Sequence, residues 1–353
     1  MHRGHFTRVA ALAATLGSAA VPSLVAAQAT GAAPAGMYHV VKEIPAGGEG
    51  GWDYLTVDTA AHRLYISRST HVMVIDTDRD SVIADITNTL GVHGIAFAPS
   101  FSKGFTSNGR DSTVTVFDLR TYAPTATIKV TGRNPDAILY EPVSGRVFTF
   151  NGGSSNATAI DARTNAVVGT VALGGAPEFA RSDAAGRVYV NTEDKSEIVA
   201  FDAKTLKVLS HWKLAPCEEP SGLAMDRTGG RLFSVCSNKM MAVVDMANGK
   251  VVTTLPIGDG PDASAFDPAT KLVFSSNGEG TLSVYHEDDP GHFSLVGNVP
   301  TRRGARTMAL DERTHKVYTV SAQFGPPPAP TADRPRPRPP MIAGSFVILV
   351  LDR

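Results

Sequence analysis

The residues of this chain whose types and spacing could do chemistry are four acids, Asp53, Asp136, Glu178 and Asp262, together with Arg306, His93 and Trp52. The acids and Arg306 each stand five residues ahead of an acid that closes a short apolar run, namely Asp58, Glu141, Asp183, Asp267 and Asp311. Gly94 and Ser221 occupy the same position in two further copies, and Trp52 and His93 lie one residue earlier in theirs. A position that recurs once per repeat converges on one place if the repeats close into a ring. Carboxylates meeting there would bind Ca²⁺ or another hard cation, or a polar ligand for which Arg306 supplies charge and Trp52 a flat apolar face. Their crowding would also raise some of their pKa values, the condition that makes acid and base groups. In an enzyme Asp53, Asp136, Glu178 and Asp262 would be metal ligands, His93 a base and Arg306 an anion stabiliser. The same residue types also serve as solvated mouth groups, and Pro-Asp and Pro-Glu starts are ordinary turn chemistry.

Other motifs carry less. Gly258-Asp-Gly-Pro-Asp-Ala263 and Gly47-Gly-Glu-Gly-Gly51 look like phosphate loops, yet each joins strand to strand and not strand to helix. The run His286-Glu-Asp-Asp-Pro-Gly-His292 reads as a solvated hairpin. No nucleophile elbow, HExxH or haem-attachment CxxCH is present.

The elements that position the candidates come from a repeat. Gly186–Asp202 contains two alternating apolar runs, Arg187–Asn191 and Glu197–Asp202, around a polar turn, and reads as a hairpin. Acids closing the equivalent second run fall at Asp76, Asp118, Asp161, Asp202 and Asp245, with His286 in that place next, at intervals of 41 to 43 residues. The basic residue opening the preceding run gives Arg63, Lys103, Arg146, Arg187, Arg231, Lys271 and Lys316, hence seven units. Each unit has room for four strands, A to D from the inside outward, which predicts an all-β, seven-bladed β-propeller with four-stranded antiparallel blades. Val40–Gly50 matches the strand D segment Val251–Gly260, and Ser345–Asp352 reads as a strand C lacking its D. The N-terminal strand D therefore pairs with C-terminal strands A–C and closes the ring. Loops entering strand A and loops joining B to C emerge on one face, called the upper face.

Gly174-Gly-Ala-Pro-Glu178, Val188-Tyr-Val-Asn-Thr192 and Val199-Ala-Phe-Asp-Ala-Lys-Thr205 resemble the segments of the YVTN repeat family of seven-bladed propellers, including its exported YncE-like members. The resemblance covers residues 37–353 apart from a proline-rich insertion at about 324–343 in the last blade, and it implies export and a binding or scaffolding role.

Arg3 and Arg8 precede an Ala-, Leu- and Val-rich run that ends in small residues, the pattern of a signal peptide over residues 1–29. Residues 30–36 then form a flexible mature N-terminus, and 37–353 the propeller. Removing 1–29 takes away two arginines and no acid, which leaves 31 basic against 34 acidic side chains. That balance argues against nucleic-acid binding. A periplasmic or secreted location follows, with no membrane span after signal removal, and in it a disulfide between Cys217 and Cys236 is expected. The expected function is a monomeric binding or scaffold module for an envelope protein, peptide or small polar ligand at the upper face. The alternative is a metal-assisted lactonase, other hydrolase or lyase at the carboxylate-ringed channel mouth, with a divalent cation such as Ca²⁺ as cofactor.

Overall fold

The computed structural model describes residues 36–331, 337 and 339–353. The expected signal peptide at 1–29, nearly all of the expected flexible N-terminus, and residues 332–336 and 338 of the insertion lie outside the described residues. Among the described residues, 28 strands form seven four-stranded antiparallel sheets, each running A-B-C-D. The A strands are Leu55–Asp58, Val92–Ala98, Pro135–Glu141, Pro177–Ser182, Pro220–Asp226, Pro261–Asp267 and Met308–Asp311, of blades one to seven in order. Each packs against the A strands of both neighbours, and that of blade seven packs against that of blade one. The result is the seven-bladed propeller the repeat predicts, with strand A innermost. Crowding at the axis selects small residues: a Cβ on Gly222 in blade five would lie 2.6 Å from the Asp262 carbonyl oxygen of blade six.

The acids that mark the repeat are consumed by turns. After strand C, Asp118 accepts the backbone N–H groups of Arg120 and Thr121, and Asp202 those of Lys204 and Thr205. Asp226 and Glu141 do the same in A–B turns, and Asp311 accepts the N–H of Arg313 and the hydroxyl of Thr314. An aspartate side chain satisfying the N–H groups two and three residues on is a reason for this residue at this place. Those N–H groups hold the Asp118, Asp161 and Asp202 carboxyls below their ordinary range.

Burial follows the blades. Among the described residues the buried apolar side chains fall into seven clusters, one at each blade–blade interface. Tyr189 packs toward blade five, while Val190 and Phe201 pack toward blade three. In blade six the third strand does not end at His286: Thr281–Asp289 and His292–Pro300 form a longer hairpin, and the expected polar turn shrinks to Pro290-Gly291.

The ring closes as expected. His39–Pro45 pairs antiparallel with Val347–Asp352, from His39 opposite Asp352 to Pro45 opposite Val347, and so supplies strand D of blade seven. Next to this seam lies Arg68, a fully buried arginine. Its Nη1 donates to Gly47 O at 2.9 Å, its Nε and Nη2 donate to Gly50 O at 3.3 and 3.0 Å, and its guanidinium lies 3.7 Å from the centroid of Phe346. Burial, opposed by the charge of Asp85, lowers its pKa to about 10. Carbonyl acceptors and an aromatic face thus keep a buried cation satisfied. Cys217, in the loop entering blade five, and Cys236, at the end of its strand B, form a disulfide with Cα atoms 5.7 Å apart. No helix among the described residues is long and apolar enough to cross a membrane.

Replacing Arg68→Met leaves the Gly47 and Gly50 carbonyls without their donors and is expected to cost about 3 kcal/mol in urea unfolding. Deleting residues 37–45 should lower the melting temperature far more, and an unchanged value would refute the closure. Double replacement Cys217→Ser/Cys236→Ser should cost about 3 kcal/mol by releasing a closed loop in the unfolded chain.

Candidate functional site

The sequence candidates arise from one device repeated around the ring. In blades two to six the A–B register shifts just after the upper end of strand A. The residues skipped are His93 and Gly94, Asp136 and Ala137, Glu178 and Phe179, Ser221 and Gly222, and Asp262. A β-bulge frees residues from the ladder and re-aims their side chains, here at the mouth of the channel. Proline opens four of these strands, at Pro135, Pro177, Pro220 and Pro261, a position where its missing N–H is tolerated. In blades one and seven, Asp53 and Arg306 lie two residues before the strand.

Asp53, Asp136, Glu178, Asp262 and Arg306 line one cavity of about 310 Å³. His93 donates from Nδ1 to Asp53 at 2.6 Å, with Asp136 Oδ1 3.7 Å away. Its ring fits because residue 109 is glycine: a Cβ there would come within 2.6 Å of His93 Nε2. Arg306 donates to Asp262 at 2.5 Å and lies 3.9 Å from Asp53. The side chains of Asp53, His93, Asp136 and Asp262 keep only 19–28% of their surface exposed.

Crowded acids in this setting resist ionisation. Burial, then the charges of Asp136, Glu193, Asp262 and Asp53, push Glu178 up to about 9. Burial raises Asp262 to about 7 against the pull of Arg306, and Asp136 to about 6 against the pull of His93. Burial alone would lower His93, but its bond to Asp53 and the charges of Asp136 and Asp53 win and raise it. Arg306 is raised, chiefly by Asp262.

The expected four-carboxylate metal set is not brought together as one. Among the described residues, the group whose ligand atoms approach within 4.8 Å of one another is Asp53, His93 and Asp136; Glu178 and Asp262 stand apart from it. Trp52 does not line the cavity. It packs on Phe346 and on Phe324 at the root of the insertion, with ring centroids 5.4 and 6.0 Å away.

Several lining residues escaped the sequence reading, two acids and two aromatics among them. Glu193 comes from the B–C turn of blade four and Glu219 from the loop entering blade five, both upper-face positions. Tyr54 and Phe179 lie one residue beyond Asp53 and Glu178, and the same alignment read one place later would have drawn them out. Their rings meet with centroids 4.9 Å apart. Because blades one and four lie on opposite sides of the ring, this contact crosses the axis beneath the upper chamber. A second chamber, which the two rings also line, lies beneath.

No protein-family model matches the chain, and no curated protein matches it in sequence. Among solved structures it is similar to a chain of the hydrazine synthase of Kuenenia stuttgartiensis, at 18% identity over 78% of this chain and 93% of that one, with a TM-score of 0.67. A chain of a mitotic checkpoint complex is 13% identical over 98% and 99%, with a TM-score of 0.72. The protein U3-55K is 9% identical over 88% and 98%, with a TM-score of 0.71. At these identities the likeness is one of fold, and the class defined is the seven-bladed β-propeller.

The raised carboxyls fix the sign of a pH effect. Folded Glu178 holds a proton that the unfolded chain releases near the ordinary glutamate value, so this group lowers stability progressively as pH climbs from there to about 9. Glu178→Gln is expected to raise the melting temperature by a few degrees at pH 8, to leave it unchanged near pH 4, and to flatten its decline between them.

Proposed function

We propose that this chain is an exported propeller of the YVTN type, working as a monomeric binding module whose upper chamber takes a cationic, hydrogen-bond-donating group of a peptide or small polar ligand. The observation that carries this reading is the uneven supply of counter-charge within the chamber. On one side His93 and Arg306 balance Asp53, Asp136 and Asp262. On the other, Glu178, Glu193 and Glu219 line the wall, and among the described residues none of their carboxyls makes an ion pair. A ligand ammonium or guanidinium entering there would meet the acids with Tyr54 and Phe179 as an aromatic floor, a combination suited to organic cations. Arg306 on Asp262 is the chain's own example of a guanidinium held in this chamber. Export is supported by the buried disulfide, which belongs to oxidising compartments.

A second reading, metal-assisted hydrolysis or lyase chemistry, is favoured by the Asp53–His93–Asp136 group and by Asp136 Oδ1, which is buried without a hydrogen-bond partner. These donors suit a divalent ion once His93 is neutral. Its protonation, favoured by the two aspartates, competes with such an ion.

Calorimetric titration with butylguanidinium and butylamine separates the two. Under the binding reading both bind more tightly at pH 8 than at pH 6, because occupation requires the Glu178 carboxylate, which holds its proton more completely at the lower pH, and Glu178→Gln weakens them about tenfold. No saturable binding at pH 8, or equal affinity in Glu178→Gln, would overturn it. The metal reading instead requires a divalent ion that copurifies with the protein and is lost in His93→Ala.

A further inference from the structure

Beneath the Tyr54–Phe179 contact the channel changes character. The lower chamber has a volume of about 320 Å³, at the small end of ligand-sized cavities. Most of the residues that line it are apolar, Leu55, Ile138, Met225, Phe266 and Met308 among them, but backbone and polar atoms present more of its surface than apolar atoms do, and among the described residues Glu312 is the acid that lines it. Two arginines line it as well. Arg181, on strand A of blade four, lies with its guanidinium carbon 5.0 Å from the Phe179 centroid, stacked on the underside of the aromatic contact. Arg227, in the A–B turn of blade five, donates from Nε and Nη2 to the Ser182 carbonyl at 3.3 and 3.0 Å, which fixes its plane and leaves Nη1 unused by that acceptor. Among the described residues no carboxylate lies within ion-pair distance of either guanidinium, Glu312 included.

A third polar group points the same way. Ser264, on strand A of blade six, lines this chamber with 2% of its surface exposed, and its hydroxyl has no hydrogen-bond partner. Buried hydroxyls without partners are uncommon because desolvation is then uncompensated. Burial, and next the like charge of Arg227, lower Arg181 to about 10, so the chamber holds a cation that its surroundings disfavour. A ligand anion would relieve both deficits.

We propose that the lower chamber is a second binding site, separate from the upper one, for a small organic acid: a carboxylate held by Arg181 and Arg227 with a hydrogen bond from Ser264, and an apolar body lying against the aliphatic and aromatic wall. The planar guanidinium matches a carboxylate through paired N–H donors, and the apolar patches of the lining give an organic acid a contact that an inorganic anion lacks. This site does not rest on the reading of the upper chamber and can stand if that reading falls.

The probe is 3-phenylpropionate, titrated against the full mature protein by calorimetry, with 3-phenylpropanol as its neutral counterpart and sulfate as the apolar-free anion. The expected result is saturable binding of the carboxylate, weakened about tenfold or more for the alcohol, for sulfate and for Arg181→Met. Glu178→Gln, in the upper chamber, should bind it as the wild type does. Glu312→Gln, exposed at the lower mouth, should bind it more tightly, so the test holds even if Arg181→Met fails to fold. Absence of saturable binding, equal affinity for the alcohol, or unchanged affinity in both Arg181→Met and Glu312→Gln would overturn the proposal.

Discussion

The pairing of the two chain ends in one sheet is the interaction on which the rest of the structure depends. Each blade is covered on both faces by neighbours, so the apolar clusters exist in pairs around every sheet, and a missing strand D in blade seven would uncover the edge of strand C. The cost of bringing residues 39–45 to 347–352 grows only logarithmically with the length of chain between them, so a ring of this size can be sealed by one short strand. Tyr38 and Arg68 reinforce the seal: the Tyr38 hydroxyl donates to the His315 carbonyl at 2.6 Å, and Arg68 ties the loop after the strand to Phe346. Both chambers are products of that closure, because their walls are drawn from blades far apart in sequence.

One residue type has two fates here. Acids at hairpin turns lie beside backbone N–H groups, which favour the charged form, while acids at the bulges face one another across a partly desolvated space, which favours the neutral form. The difference is a matter of position within the same repeat. Bulging is what separates them, since it takes a residue out of the ladder and turns it to the axis.

The repeat period, the number of blades, the seam and the half-cystine pair were legible in the sequence because each is a matter of spacing along the chain. Convergence of Asp53, Asp136, Glu178, Asp262 and Arg306 was legible for the same reason, as they share one register. What spacing does not contain is distance across the ring. Tyr54 and Phe179 touch, and Trp52 turns outward to Phe346 and away from the cavity, because of the channel's diameter and the loop's path. Arg68 reads as an ordinary charged residue after a strand, and its burial is decided by a loop some twenty residues upstream. The lengthened hairpin of blade six was hidden because His286 occupies the place of a turn-closing acid without making that turn.

The contact between Tyr54 and Phe179 has a kinetic meaning. A propeller is topologically a tube, but two side chains on its axis make it a pair of cups set base to base. The two rings narrow the passage between the cups, so a molecule large enough to fill one of them is expected to leave by the rim it crossed.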